Sequence, residues 1–233
     1  MKKVVLFDLG DTLIHYYKKT EFLEILKQSI SNVREYLSRR NLLGISSRGI
    51  WQRATDENYE ARNHCVRPME KRLARVFKLG HRIRSKGLLM TMCKHFMNHI
   101  FGGASYYEDT LTTLSELKSS NFTVAIVSNT TWGSPANLWR EELRRKGLEE
   151  YIETAVFCRD VGWRKPARRI FEFTIRKLNT TAQNCIFVGD NPRWDVAGAR
   201  TVGIRAVLID RRDEVPGLEE EKIKTLDELW NLL

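Results

Sequence analysis

Asp8, Ser128, Lys165, Asp190 and Asp195 are residues of the types that phosphoryl transfer needs. A carboxylate can attack phosphorus when a cation offsets its repulsion from the phosphate. Asp8 and Asp190 offer hard oxygens of the kind Mg2+ accepts, an ion that keeps several waters and needs few protein ligands. Lys165 can neutralise the attacking carboxylate and hold one phosphate oxygen. Ser128, followed by Asn129, can donate a hydrogen bond to another. Positioning and charge neutralisation of this kind supply most of the catalysis in phosphoryl transfer. Taken singly, each residue reads as an ordinary solvated side chain, and its place in the chain is what sets it apart.

Each of these residues stands just beyond an apolar run. Residues 3–8, 122–127, 154–158, 185–188 and 205–209 are rich in Val, Ile and Phe and too continuous for half-exposed strands, so they read as buried parallel strands. The first ends Phe7-Asp8-Leu9-Gly10-Asp11-Thr12 and the second Val127-Ser128-Asn129-Thr130. The fourth ends Val188-Gly189-Asp190-Asn191-Pro192-Arg193-Trp194-Asp195, and Gly162-Trp163-Arg164-Lys165-Pro166 follows the third. Helical spacings lie between the later strands: Leu111, Leu114 and Leu117; Phe171, Ile175 and Leu178; Ala197, Ala199 and Val202. Pro166 is expected to open a helix and leave Lys165 facing inward. Alternating strand and helix predict an α/β protein with a three-layer α/β/α, Rossmann-like parallel sheet. In such sheets ligands bind at the carboxyl ends of the strands, so the polar residues named above would share one crevice.

The first crossover is unusually long. More than a hundred residues separate the first strand from the second. Leu26, Ile30, Val33 and Leu37 repeat with a helical period, and further helices are expected over 47–63, 67–80 and 86–100, punctuated by Gly44, Gly49, Pro68, Gly80 and Gly87. The organisation expected is therefore a sheet domain, 1–14 and 103–233, interrupted by a helical subdomain, 15–102, with Gly102-Gly103 as a hinge. Residues 15–102 hold 18 Lys and Arg against seven Asp and Glu, which is more than the whole net charge of +10. They also hold all five histidines, His15, His64, His81, His95 and His99, at no metal spacing. A basic field attracts anions such as a phosphorylated metabolite, a nucleotide or a nucleic acid. No run of apolar residues is long enough to cross a membrane. Cys65, Cys93, Cys158 and Cys185 match no metal spacing and read as reduced thiols in a cytoplasmic protein.

The order Asp-x-x-x-Thr, Ser-Asn, Lys-Pro, Gly-Asp-x-x-x-x-Asp resembles the haloacid dehalogenase-like hydrolases. Residues 188–209, VGDNPRWDVAGARTVGIRAVLI, are similar to that family's fourth motif, and the inserted helices stand where the family carries a helical cap. The resemblance implies a Mg2+-dependent phosphatase acting on a small anionic phosphorylated substrate. Asp8 would be nucleophile and metal ligand, Ser128 and Asn129 the phosphate-binding pair, and Lys165 the neutralising cation. Asp190 and Asp195 would be further metal carboxylates, and Gly10 would bind the metal through its carbonyl.

One departure stands out. Family phosphatases carry a second Asp, the acid/base, two residues after the nucleophile, where this chain has Gly10; Asp11 follows one position later. Asp11 is either a displaced acid/base or a hydrogen-bonding loop residue. General acid–base help is worth about 10²–10⁴-fold, so slow turnover or a preference for good leaving groups, such as acyl or aryl phosphates, is expected. Other readings stay open at this point. A haloacid dehalogenase also lacks the second Asp but needs no metal. A phosphonate hydrolase would use a cap lysine, with Lys71, Lys78, Lys86 and Lys94 available. A non-enzymatic protein could bind RNA or another anion through the basic helices, although no dedicated nucleic-acid motif is present. Trp132, Trp163 and Trp194, each next to a motif, are either packing residues or an aromatic wall for the substrate's organic part.

Overall fold

Val4, Val5, Leu6 and Phe7 are all buried, so strand β1 (Val4–Phe7) is apolar on both faces and needs cover on both. The computed structural model, which describes residues 3–43, 46–80, 85–215 and 221–233, sets β1 inside a six-stranded sheet. Two two-residue strands, β2 (Ile14–His15) and β3 (Ser105–Tyr106), come next in the chain. The sheet continues with β4 (Thr123–Ser128), β5 (Thr154–Phe157), β6 (Cys185–Gly189), β7 (Arg205–Ile209) and β8 (Lys222–Ile223), in the order β5-β4-β1-β6-β7-β8. Every pairing in it is parallel. The chain runs outward from β1 to β5 on one side and crosses to β6 on the other, which opens a crevice at the carboxyl end of β1. Phe7 stands opposite both Ile126 and Val188, so the residues just after β1, β4 and β6 emerge at one level.

Alternation along the strands divides the core into two. Val5, Phe7, Ile126 and Val188 belong to one buried cluster, and Val4, Leu6, Ala125 and Phe187 to another. The second cluster is covered by Ile170 and Phe171 of a helix and by Val196 and Ala199. This is the expected three-layer arrangement.

The inserted stretch forms helices α1 (Phe22–Arg39), α2 (Ser47–Asp56), α3 (Met69–Val76) and α4 (Lys86–Gly102). Leu26, Ile30, Val33 and Leu37 are buried on α1 as their spacing predicts. Helices α5 (Thr110–Ser119), α6 (Ala136–Arg145), α7 (Cys158–Val161), α8 (Arg168–Lys177) and α9 (Gly198–Arg200) follow. The expected landmarks Gly44 and His81 lie outside the described residues. The chain passes into and out of the insert through β2 and β3, which pair antiparallel, Ile14 with Tyr106 and His15 with Ser105. Among the described residues no helix is long and apolar enough to cross a membrane, and all four cysteines are free.

Several details differ from the expectation. Helix α2 stops at Asp56 rather than near 63 because the carbonyls that would extend it are taken by arginines. Arg67 donates to the Glu57 and Tyr59 carbonyls at 2.9 and 2.7 Å, and Arg72 to that of Tyr59 at 2.9 Å. Helix α3 ends at Val76, followed by Lys78 with a left-handed φ of 49°. On α5, Leu114 and Leu117 are buried as expected, but Leu111 is exposed, its place on the inner face being taken by Thr110 and Thr113. Ala197 is likewise exposed, and Val196 with Ala199 fills that place. Helix α8 begins at Arg168, two residues after Pro166.

The insert is sewn to the sheet domain by backbone. The Val66 amide donates to the Gly162 carbonyl at 2.9 Å, and the Arg164 amide to that of His64 at 2.8 Å. Arg159 makes a two-pronged pair with Glu70, both contacts at 2.9 Å, and donates to the Gly133 carbonyl at 2.9 Å. Gly133 has a φ of +66°, and a Cβ added there would lie 2.1 Å from the Arg67 carbonyl oxygen. Glycine is thus required both for backbone conformation and for the closeness of the insert. Gly133→Ala is expected to lower the unfolding free energy by about 3 kcal/mol, measured by urea denaturation against the wild type.

Candidate active site

Asp8 extends β1 by one residue, its amide donating to the Val188 carbonyl at 2.9 Å. The loop after it folds back tightly. The Leu9 carbonyl accepts from the Leu13 and Ile14 amides at 3.0 Å, and the Asp11 amide donates to the Ile14 carbonyl at 2.8 Å. The Asp8 carboxylate is thereby fixed at the sheet edge, where it meets Lys165. The Lys165 Nζ lies 2.7 Å from Asp8 Oδ1, 2.6 Å from Asp195 Oδ1 and 2.9 Å from the Val127 carbonyl. The ammonium donates hydrogen bonds to Asp8 and to the Val127 carbonyl, and Asp195 Oδ1 faces it as an ion-pair partner. Burial works against the Lys165 charge, but Asp195 and Asp8 outweigh it and hold the ammonium above its ordinary pKa. Burial pushes the Asp195 carboxyl up to about 6, Lys165 opposing and Asp8 reinforcing the shift.

Neighbouring residues hold this trio in place. Asn129 clamps the Lys165 backbone: its Oδ1 accepts from the Lys165 amide at 2.9 Å and its Nδ2 donates to the Lys165 carbonyl at 3.3 Å. Asp195 sits in a wide π-type turn, Pro192–Ala197, of a kind found at functional sites. The cap of that turn is Asn191, whose Oδ1 accepts from the Arg193 and Trp194 amides at 3.1 and 2.9 Å. Asp195 reaches backward instead, its Oδ2 accepting from the Asn191 amide at 2.9 Å. A Cβ on Gly189 would stand 2.5 Å from the Asp195 carboxylate carbon, so only glycine lets Asp195 lie against the end of β6.

Asp8, Asp190 and Asp195 each offer a carboxylate oxygen within 4.8 Å of the others. Three carboxylates gathered so closely offer hard oxygens in the number that suits a divalent cation such as Mg2+. The donor set therefore fits the metal that the sequence led us to expect.

A cavity of about 600 Å3 opens above this floor, and Asp8, Gly10, Asp11, Ser128, Asn129, Lys165, Asp190 and Asp195 all line it. The structure thus brings the residues expected to act on phosphate and metal to one cavity. Asp11 has a left-handed φ of 56°, and its Oδ1 is 3.1 Å from His15 Nδ1 and accepts from the Tyr107 hydroxyl at 3.4 Å. Of the three motif tryptophans, Trp132 and Trp194 line the cavity. Trp163 does not; its ring packs under the Arg169 guanidinium at 3.9 Å.

Nothing in the residue pattern marks the cavity's roof. Asn58, Tyr59 and Glu60, from the segment after α2, close it, and Trp132 Nε1 donates to Asn58 Oδ1 at 3.1 Å. Glu60 pairs with the buried Arg72 at 2.9 Å and lies 3.6 Å from Arg164. No apolar period or short motif marks this segment, so only the three-dimensional contacts reveal it.

An all-parallel sheet with a lysine-neutralised aspartate and two more carboxylates at its carboxyl edge defines a class of α/β protein whose chemistry centres on that aspartate. The chain belongs to the haloacid dehalogenase-like hydrolases, whose family model matches residues 2–203. It is 30% identical over 140 residues to ribulose-1,5-bisphosphate 5-phosphatase of Halopiger xanaduensis, covering 55% of this chain and 57% of that one. It is 31% identical over 163 residues to (S)-2-haloacid dehalogenase 4A of Burkholderia cepacia, covering 68% and 65%. The chain thus spans less than two thirds of the length of these two relatives. Over the full length of both chains it is 25% identical to glyceraldehyde 3-phosphate phosphatase of Methanothermobacter thermautotrophicus. Among solved structures, a phosphatase of this family from Thermococcus onnurineus superposes with a TM-score of 0.65 at 25% identity, over 99% of this chain and 97% of that one.

Lys165→Met would leave Asp8 and Asp195 buried without their cation, a loss of about 3–5 kcal/mol. A buried carboxyl whose folded pKa exceeds its unfolded value favours the fold most at acid pH and loses that contribution as pH rises through the folded pKa. The stability deficit of metal-free Lys165→Met is therefore expected to be small near pH 4, to grow as pH rises from there, and to level off only above the variant's own Asp195 pKa, which without Lys165 lies above the wild-type value of about 6, read from urea midpoints across that range.

Proposed function

We propose that the protein is a Mg2+-dependent phosphatase of small phosphorylated metabolites, that Asp8 becomes transiently phosphorylated, and that the helices of 15–102 act as the cap over the site. The observation that carries this reading is the convergence of Asp8, Asp190 and Asp195 on one another, with Lys165 against Asp8 and Asp195. Bound Mg2+ would offset the repulsion between carboxylate and phosphate and polarise the phosphoryl group. Lys165 fixes the Asp8 carboxylate and lowers the negative charge that phosphate must meet. Ser128, buried at the end of β4, is assigned a hydrogen bond to a phosphate oxygen, and Asn129 sets the lysine through its clamp. Asp8 attacks phosphorus, the leaving oxygen departs, and water then hydrolyses the phosphoaspartate.

Asp11 is assigned the loop role, since His15 and Tyr107 already engage its carboxylate. Leaving-group protonation then lacks a dedicated residue, and turnover of alkyl phosphates is slow. Phosphatases among the relatives support the activity. Dehalogenases are there too, but dehalogenation makes no use of a carboxylate trio suited to a divalent cation. For phosphonate cleavage the four lysines considered are all exposed, and none of them lines the cavity. The basic character of the insert is partly spent internally, with Arg39 on Glu35, Arg67 and Arg75 on Glu57, and Arg72 on Glu60. This weakens the case for a nucleic-acid surface.

Hydrolysis of p-nitrophenyl phosphate is expected to require Mg2+, to stop with EDTA and to fall at least about 10³-fold in Asp8→Asn; an unchanged rate in that variant would refute the phosphoaspartate. A Cβ on Gly10 would meet nothing closer than Tyr16 Cδ2 at 3.7 Å, so the backbone there admits a Cβ. Gly10→Asp is expected to raise kcat on glycerol phosphate by about 10²-fold, measured by phosphate release.

A further inference from the structure

Resting on the phosphatase reading, we propose that the substrates are aryl phosphate monoesters, whose ring is held between Tyr59 of the insert and Trp194 of the sheet domain. Two independent features point to the same leaving group.

The first is the cavity wall. Large apolar side chains that stay exposed on a folded protein are informative when they gather at one place. Tyr59 and Trp194, 58% and 42% exposed, both line this cavity, one from its roof and one from its floor loop. The Arg67 guanidinium covers one face of the Tyr59 ring at 3.5 Å, which fixes the ring and leaves its other face for a ligand. Tyr16, Tyr17, Phe22, Trp132 and Trp139 complete an aromatic lining. The volume of about 600 Å3 falls within the range of about 300–1,000 Å3 that houses ligands well beyond a three-carbon chain. The roof's charges are already committed. Glu60 pairs with Arg72 at 2.9 Å and lies 3.6 Å from Arg164, which also donates to the Thr130 carbonyl at 3.1 Å. These arginines are therefore poor hosts for a second phosphate or a substrate carboxylate, whereas the rings around them suit another ring.

The second is the absence of a side chain at Gly10. Without an acid beside the leaving oxygen, the P–O bond must break with the electron pair leaving on that oxygen. A phenol ionises near pH 10, while water, like alkyl alcohols, holds its proton to about pH 16. An aryl oxygen can therefore depart as phenolate. In the step proposed, an Asp8 oxygen forms a bond to phosphorus and the phosphorus–aryl oxygen bond breaks. The phenolate then takes a proton from water. A second water attacks phosphorus, releasing inorganic phosphate and restoring the Asp8 carboxylate.

Four esters separate the ring from the leaving group. Phenyl phosphate has both the ring and the good leaving group. Benzyl phosphate has only the ring, acetyl phosphate only the leaving group, and glycerol phosphate neither. With the full chain and Mg2+, kcat/KM for phenyl phosphate is expected to exceed that for glycerol phosphate by at least about 10²-fold. Benzyl phosphate should share its KM but not its kcat, and acetyl phosphate should show a KM about tenfold higher. Tyr59→Ala and Trp194→Ala, both at exposed positions, should each cut the ratio of phenyl to acetyl phosphate kcat/KM by at least about fivefold. Asp8-dependent turnover that favours glycerol phosphate, or an unmoved ratio in both variants, overturns this inference and leaves the phosphatase reading standing. No Asp8-dependent turnover on any of the four overturns both.

Discussion

The Lys165 ammonium, 3% exposed and held between Asp8 and Asp195, is the interaction on which the site depends. A charge taken from water costs several kcal/mol unless its partners and hydrogen bonds are well placed. Here the acceptors come from three places in the chain: β1, the end of β4, and the turn after β6. Each has to be delivered accurately, and much of the local structure serves that delivery. The Asn129 clamp sets the lysine backbone, the folded loop after Asp8 sets the first carboxylate, and the bare Cα of Gly189 admits the second. Buried ion pairs are a weak source of stability. This arrangement is better understood as a charge distribution maintained for what it can bind: carboxylates clustered beside a fixed cation.

Much of this was legible in the sequence because parallel sheets write themselves as continuous apolar runs, and the chemistry follows where each run stops. The ends of β1, β4 and β6 could be read within a residue or two, and from them the gathering of Asp8, Ser128, Lys165, Asp190 and Asp195. What escaped was set by contacts rather than by period. Helix α2 ends early because Arg67 and Arg72, from farther along the chain, take the carbonyls after it. Strands β2, β3 and β8 have two residues each, too few for any alternation to register. Pro166 reads as a helix start, yet α8 begins two residues later, and Leu111 falls outside the inner face of α5 because buried Thr110 and Thr113 share that face with Leu114 and Leu117. The roof residues Asn58, Tyr59 and Glu60 follow no pattern at all; their position depends on the fold of the insert as a whole.

The insert's charge also changes meaning once its partners are visible. As a composition it is a strongly basic block, but in the structure Glu57 gathers Arg67 and Arg75, Glu60 takes Arg72, and Glu70 takes Arg159 from the sheet domain. Several of these arginines work as struts that brace the segment over the cavity. Arg67 does so four times over, through two backbone carbonyls, a carboxylate and the face of Tyr59.

The pairing of His64 and Val66 with Gly162 and Arg164 joins the roof to the residue immediately before Lys165. The strand of chain that leads from the roof is thus hydrogen-bonded to the peptide next to the lysine. Linkage then demands symmetry: if a guest under the roof steadies the lysine and so improves cation binding, the cation must improve the guest's binding by the same factor. Cation and organic guest would each report on the other's presence, even though the two never share a side chain.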